Sequence, residues 1–196
     1  MRNRLALTVV AGLVLLAGCS DGGSNPASRT PMPPATGAVT ATPEPSQAPP
    51  SGTSPQQATP TPDTRLTVTD VRIGHHDGFD RVVYEFGGTG GAPGWTVRYT
   101  DRAVQNGSGR QLQIAGASIL EVQILATAYP WDSGVTPYSG PDPVTDPSAP
   151  NIAGVYGAQD YEGTTQSFIG VNADRPPFSV TALDRPVRLV IDIATG

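Results

Sequence analysis

The residues best equipped for chemistry lie in one short stretch, Gly74-His75-His76-Asp77-Gly78-Phe79-Asp80-Arg81, which sets two imidazoles and two carboxylates in a single turn. Imidazole and carboxylate together can bind zinc. A zinc site, however, needs three or four ligands converging from fixed directions, and adjacent histidines on one turn do not converge. The chain has only these 2 histidines, so no further imidazole completes a set. The expectation is a polar turn in which Asp80 pairs with a nearby arginine, and no metal. Two other acidic pairs, Asp142 with Asp146 and Asp160 with Glu162, lack the dense alternation of acidic residues in a calcium loop. Nothing in the sequence supplies either pair with the pocket or partner that general acid and base work requires. No Gly-x-Ser-x-Gly elbow occurs in residues 65–196, and the sole cysteine, Cys19, directly follows the N-terminal leader. The chain is therefore expected to be no enzyme and to need no cofactor.

Aromatic rings beside carboxylates and amides offer a different chemistry, because the apolar face of a sugar packs on a ring while its hydroxyls bond to polar neighbours. Tyr84, Trp95 and Tyr99 fall on the apolar phase of their segments and read as core. Trp131 and Tyr138 lie in a stretch rich in proline and glycine, Thr127 to Pro150, and are expected to be exposed. A segment of that length is too long for a tight hairpin and is expected to be a functional loop or a disordered one, with its aromatics weighing against full disorder.

The elements that must carry these residues are strands. Val82, Tyr84 and Phe86 alternate with polar neighbours, as do Trp95, Val97 and Tyr99, and again Leu120, Val122 and Ile124. Such a period of two is the pattern of a half-buried strand. In the C-terminal run Val187 to Ile193 the second face carries Arg188, Val190 and Asp192, which predicts a central strand with an ion pair or hydrogen-bonded pair on its outer side. Strands are expected near Leu66 to Ile73, Arg81 to Phe86, Trp95 to Asp101, Gln111 to Ile114, Ile119 to Ala126, Ile152 to Gly157, Thr164 to Val171, Pro177 to Ala182 and Val187 to Ile193. Leu66 and Val68 are followed in phase by Asp70, with the apolar set resuming at Val71, so a bulge is expected there. Short strands separated by frequent turn signals give an all-β fold, an antiparallel β-sandwich of about eight or nine strands.

The N-terminus reads as an export and anchoring device. Arg2 and Arg4 precede an apolar run from Leu5 to Ala17, then Gly18 and Cys19. The run falls short of the about 20 apolar residues that span a bilayer, so residues 1–18 read as a cleaved signal peptide. Leu16-Ala17-Gly18-Cys19 resembles the bacterial lipobox, which implies a diacylglyceryl group on the Cys19 thiol, an anchor in the cell membrane and a domain on its extracytoplasmic face. Residues 19–64 are dominated by Pro, Ser, Thr, Ala, Gly and Gln, a composition that cannot offset the entropy of ordering a backbone, and are expected to be a disordered tether. Residues 65–196 are then the single folded domain, held together without a disulfide. The formal net charge of -5, with no basic patch, makes nucleic acid a poor partner.

Gly78-Phe79-Asp80-Arg81-Val82-Val83-Tyr84-Glu85-Phe86, Pro93-Gly94-Trp95-Thr96-Val97-Arg98-Tyr99, Tyr138-Ser139-Gly140-Pro141, Asp160-Tyr161-Glu162-Gly163 and Pro186-Val187-Arg188-Leu189-Val190-Ile191-Asp192-Ile193 occur in that order. Together they resemble the AMIN-like domain of actinobacterial secreted proteins and lipoproteins, across nearly all of residues 65–196. That domain is similar in strand pattern to the AMIN domain, a β-sandwich that targets envelope proteins to peptidoglycan. The resemblance implies a non-enzymatic module that binds cell-wall glycan or peptide. The expected contact surface of this chain takes His76, Asp80 and Arg81 from the first turn and Trp131 and Tyr138 from the long loop. Two other functions fit the same sequence: a module docking another envelope protein, such as an enzyme or transporter, or a carrier of a small apolar ligand between the sheets.

Overall fold

The computed structural model describes residues 48–196. The signal peptide, Cys19 and the tether as far as residue 47 lie outside the described residues. The elements are β1 Gln56–Ala58, β2 Arg65–His76, β3 Phe79–Thr89, β4 Gly94–Thr100, β5 Ala103–Val104, β6 Gln111–Leu112, β7 Ser118–Leu125, α1 Pro130–Ser133, β8 Ile152–Tyr161, β9 Thr164–Val171, β10 Phe178–Leu183 and β11 Arg188–Ala194. They build a five-stranded sheet in the order β1-β4-β7-β9-β8, a four-stranded sheet in the order β10-β11-β3-β2, and a two-stranded ribbon, β5-β6. Every pair is antiparallel. The all-β sandwich expected from the alternation is the fold.

Alternation puts one face of each large sheet into a shared core. Val82, Tyr84 and Phe86 of β3 and Leu189, Ile191 and Ile193 of β11 pack in one buried cluster with Val97 of β4, Leu120, Val122 and Ile124 of β7 and Ile169 of β9. Each such side chain contributes about 1.5–3 kcal/mol by leaving water. The Tyr84 hydroxyl, at the centre, donates to Ser167 Oγ at 2.9 Å, and Ser167 Oγ in turn donates to the Tyr156 carbonyl at 2.9 Å.

Several local expectations hold. The register of β2 against β3 shifts between Val68 and Asp70, where the broken alternation called for a bulge. β11 is an interior strand, and its Asp192 accepts from Arg81 Nε at 2.7 Å and Nη2 at 3.0 Å on the outer face. Others fail. β6 stops at Leu112, β8 runs on to Tyr161, and β5 and α1 were not anticipated.

The largest correction concerns the tether, which was expected to reach residue 64. β1 pairs with β4 through Gln56↔Val97, Gln57↔Thr96 and Ala58↔Trp95. The Gln56 side-chain amide also bridges to the opposite sheet, donating to the Phe178 carbonyl at 2.8 Å and accepting from Val180 N at 3.1 Å. One polar side chain thus closes the seam between β1 and β10. The loop from 127 to 150 closes the other seam. Leu66 of edge strand β2 accepts from Ala128 N at 2.8 Å, and Val68 accepts from Tyr138 N at 2.8 Å. Further along, Val144 and Val155 of β8 exchange two hydrogen bonds of 2.9 Å. Both sheets have edge strands whose unpaired backbone would otherwise invite pairing with other chains, and both seams are covered.

Candidate functional site

The residues expected to form a common contact surface are divided between two ends of β2. Tyr138 hydrogen-bonds at Val68, whereas His76 is the last residue of the strand. At about 3.3 Å per residue that separation is roughly 25 Å. His76, Asp80 and Arg81 therefore do not meet Trp131 and Tyr138.

At the hairpin end the polar residues are occupied by structural work. Asp80 is fully buried, at 0% exposure. It pairs with His75 Nδ1 at 2.6 Å and accepts from Asn151 N at 2.9 Å, not from an arginine as expected. That carboxylate ties the β2–β3 hairpin to the loop that leads into β8. Arg81 is buried as well, its guanidinium bonded to Asp192 and lying 5.3 Å from the centre of the Phe79 ring. His76 is exposed but stacks on Phe79, with centroids 4.8 Å apart. Neither Asp80 nor Arg81 presents a polar atom set to an incoming ligand. Among the described residues no three His, Cys, Asp or Glu side chains group as a metal site. Asp146 closes its own turn instead, accepting from Ser148 N and Oγ at 2.8 Å, and those bonds hold its carboxyl below the usual range.

At the other end Trp131, on the single turn of α1, is 75% exposed and stacks flat against Tyr129 at 4.5 Å. Tyr138, expected to be exposed, is half-buried: its ring packs against the core and its hydroxyl donates to the Pro141 carbonyl at 2.9 Å.

A cleft lies elsewhere, on the outer face of the five-stranded sheet. It encloses about 480 Å³ between the β5–β6 ribbon and strands β8 and β9. The ribbon is held there by a chain of amides on the outward positions of the sheet. Gln166 Oε1 accepts from Asn106 N at 2.7 Å, and Gln166 Nε2 donates to the Val104 carbonyl and to Glu121 Oε1, each at 3.0 Å. Asn106 Nδ2 donates to Gln123 Oε1 at 3.1 Å, and Gln123 Nε2 to Glu121 Oε1 at 2.8 Å. The second oxygen of Glu121 accepts from Arg98 at 2.9 Å, so the buried carboxylate is neutralised. Two glycines allow the close approach. A Cβ at Gly170 would fall 2.0 Å from the Ala115 carbonyl oxygen, and one at Gly107 would fall 2.6 Å from the Tyr161 ring.

The cleft wall is rich in neutral donors and acceptors: Gln105, Asn106, Gln113, Gln159 and Gln166, with the rings of Tyr156 and Tyr161. Tyr161 is 44% exposed. A primary amide offers two donors and an acceptor with two lone pairs, which suits the hydroxyl and acetamido groups of an amino sugar, while a tyrosine ring suits its apolar face. None of these cleft residues was singled out from the sequence as a site. The signal available was glutamine on outward positions, Gln123 on β7, Gln159 on β8 and Gln166 on β9, in strands whose other face is apolar.

Neither curated proteins nor solved structures yield a match to this chain. A comparison with protein families does, pairing residues 66–195 with the AMIN-like domain, a span that takes in both sheets except β1, together with the ribbon, the cleft and the long loop. The sandwich, the matched span and the order of the strand motifs agree, and the chain belongs to the AMIN-like domain family.

Proposed function

We propose that this protein is a non-catalytic cell-envelope module that binds the glycan of the cell wall, with the amide-lined cleft as its seat. The observation that carries the reading is the cleft itself: about 480 Å³, walled by amides and two tyrosines with only Arg110, Asp142 and Asp160 charged. A neutral, hydroxyl-rich ligand fits that wall better than an ionic one. The family membership supports an envelope role, and the net charge of -5 argues against nucleic acid as the partner. The lipobox-like Leu16-Ala17-Gly18-Cys19 supports a lipid anchor on Cys19 that holds the domain at the outer side of the cell membrane.

The test uses the full chain in detergent, sedimented with isolated cell-wall sacculi. Saturable retention is expected, weakened at least fivefold by Gln159→Ala combined with Tyr161→Ala. Absence of retention overturns the glycan reading and leaves docking of another envelope protein, read out as one stoichiometric partner in a pull-down. The anchor has its own test: Cys19→Ala should move the protein from the membrane fraction to the soluble one, and unchanged partitioning would refute lipidation.

A further inference from the structure

The amides on the wall of the cleft are not equally free. Asn106 and Gln166 are engaged in holding the ribbon to the sheet. Gln105 and Gln159 instead face each other at the exposed surface, one beside the ribbon and one on β8, with Gln105 Nε2 3.5 Å from Gln159 Oε1. An ordinary N–H···O bond spans about 2.7–3.2 Å, so this contact is weak and readily replaced. Gln105 is nonetheless aimed. Its Oε1 accepts from Ser108 Oγ at 2.8 Å, which leaves its NH2 directed at Gln159. Its backbone closes a tight turn, Gln105 N donating to the Arg110 carbonyl at 2.9 Å and Gly109 N to the Gln105 carbonyl at 3.0 Å. Across the cleft, Gln159 and Tyr161 flank Asp160, whose carboxylate is closed off from solvent, so strand alternation turns both outward on one face. The Tyr161 ring is 44% exposed and lies against Gly107, in the same turn as Gln105 and Ser108.

We infer that this pair reads the 2-acetamido group of an amino sugar, whose amide enters between Gln105 and Gln159 while the pyranose face packs on Tyr161. The inference rests on the glycan reading of the cleft and names the sugar that it takes. A secondary amide in its trans form carries N–H and C=O on opposite edges, so one glutamine cannot serve both. Two facing glutamines can: Gln105 Nε2 donates to the carbonyl and Gln159 Oε1 accepts from the N–H. The contact already has that polarity, with the donor on one side and the acceptor on the other. Inserting one amide into such a chain widens it by about 4.8 Å, the spacing of hydrogen-bonded strands. Two long side chains at the surface take up that distance by changing rotamer. Other groups at the same carbon leave an atom unmet. A protonated amine has donors only, so Gln105 Nε2 finds no acceptor, and a hydroxyl is too short to span the widened gap. A peptide bond has the same two edges but lacks the apolar ring face that Tyr161 is placed to cover.

The experiment titrates the full chain in detergent, by calorimetry, with three soluble β-1,4-linked tetrasaccharides that differ only at C2, built of N-acetylglucosamine, glucosamine or glucose. The acetylated tetramer should bind at least tenfold tighter than either of the others. Gln105→Leu and Gln159→Leu each remove one half of the pair and should cut that preference at least fivefold, while changing the weak binding of the glucose tetramer less than twofold. Tyr161→Leu should weaken all three sugars alike. Equal affinity for the three sugars, or an acetyl preference unchanged in both glutamine variants, would overturn the inference. So would binding of Nα-acetyl-alanine N-methylamide as tight as that of the acetylated tetramer, which would point to a peptide ligand. Sacculus retention without preference for the acetylated tetramer overturns this inference alone, and loss of both retention and sugar binding overturns the glycan reading with it.

Discussion

Two aspartates with buried carboxylates stand at opposite ends of the same sandwich, and their surroundings differ. Asp80, opposite His75 on β2, has each oxygen engaged, one by the imidazole and one by the Asn151 backbone. Asp160, by the Val68 end of β2, has neither oxygen engaged among the described residues. The first joins a hairpin to a loop and adds to cohesion. The second costs stability where it stands, and a fold keeps such a group for a reason other than packing. Burial alone therefore does not mark a functional carboxylate; what distinguishes the two is whether the fold itself supplies the donors.

The contrast is sharpest in stability. Asp80→Ala removes both acceptors and leaves the Asn151 amide without one, which should cost about 3 kcal/mol in urea unfolding. Asp80→Asn keeps the shape and one acceptor and should cost about half of that figure. A loss below about 1 kcal/mol for the alanine variant would break the claim that this end is held by the carboxylate.

Tyr84, buried between the two ends, gives a pH signature. Burial pushes its hydroxyl well above the ordinary 10.0. The folded state thus keeps a proton that the unfolded chain releases, so stability holds below about pH 10 and falls as pH rises beyond it. Tyr84→Phe should cost about 1 kcal/mol at neutral pH through the lost bond to Ser167, and should flatten the alkaline decline measured by urea midpoint.

At the other end the sign reverses. Asp160→Asn replaces a bare buried charge by a neutral amide and should raise stability by about 1 kcal/mol. A fall of similar size would show that Asp160 is a structural residue like Asp80. The smallest effect belongs to Trp131→Ala, expected within about 0.5 kcal/mol of the parent because the ring is 75% exposed. A larger loss there would mean that the aromatic stack holds the loop and is not a free surface.

Much of the fold could be read along the chain. Alternation in β3, β4, β7 and β11 gives the strands and their inward faces, and the misplaced Asp70 gives the bulge. Asp192 on an apolar strand gave away its ion pair, although its partner, Arg81, was expected at the surface. Less of the site was readable. The period of two in β8 ended at Gly157, because the bulge at Ala158 shifts the phase, and Asp160 accordingly fell outside the expected strands, as an acidic pair with Glu162. β1 was hidden in a Pro- and Gln-rich stretch, since its tie to β10 runs through a polar amide and leaves no apolar pattern.

The sequence by itself determined an all-β domain, the phase of its principal strands, the absence of an internal disulfide, and a leader that resembles a lipoprotein signal. These are local properties, fixed by period, composition and short spacing. Only the tertiary structure decided which carboxylate finds donors and which does not, and that the ribbon folds over β9 to make an amide-lined cleft. Partners such as Asp80 and Asn151 lie 71 residues apart in the chain. A side chain's identity is written at its own position, but whether its charge is met depends on what the rest of the fold brings beside it.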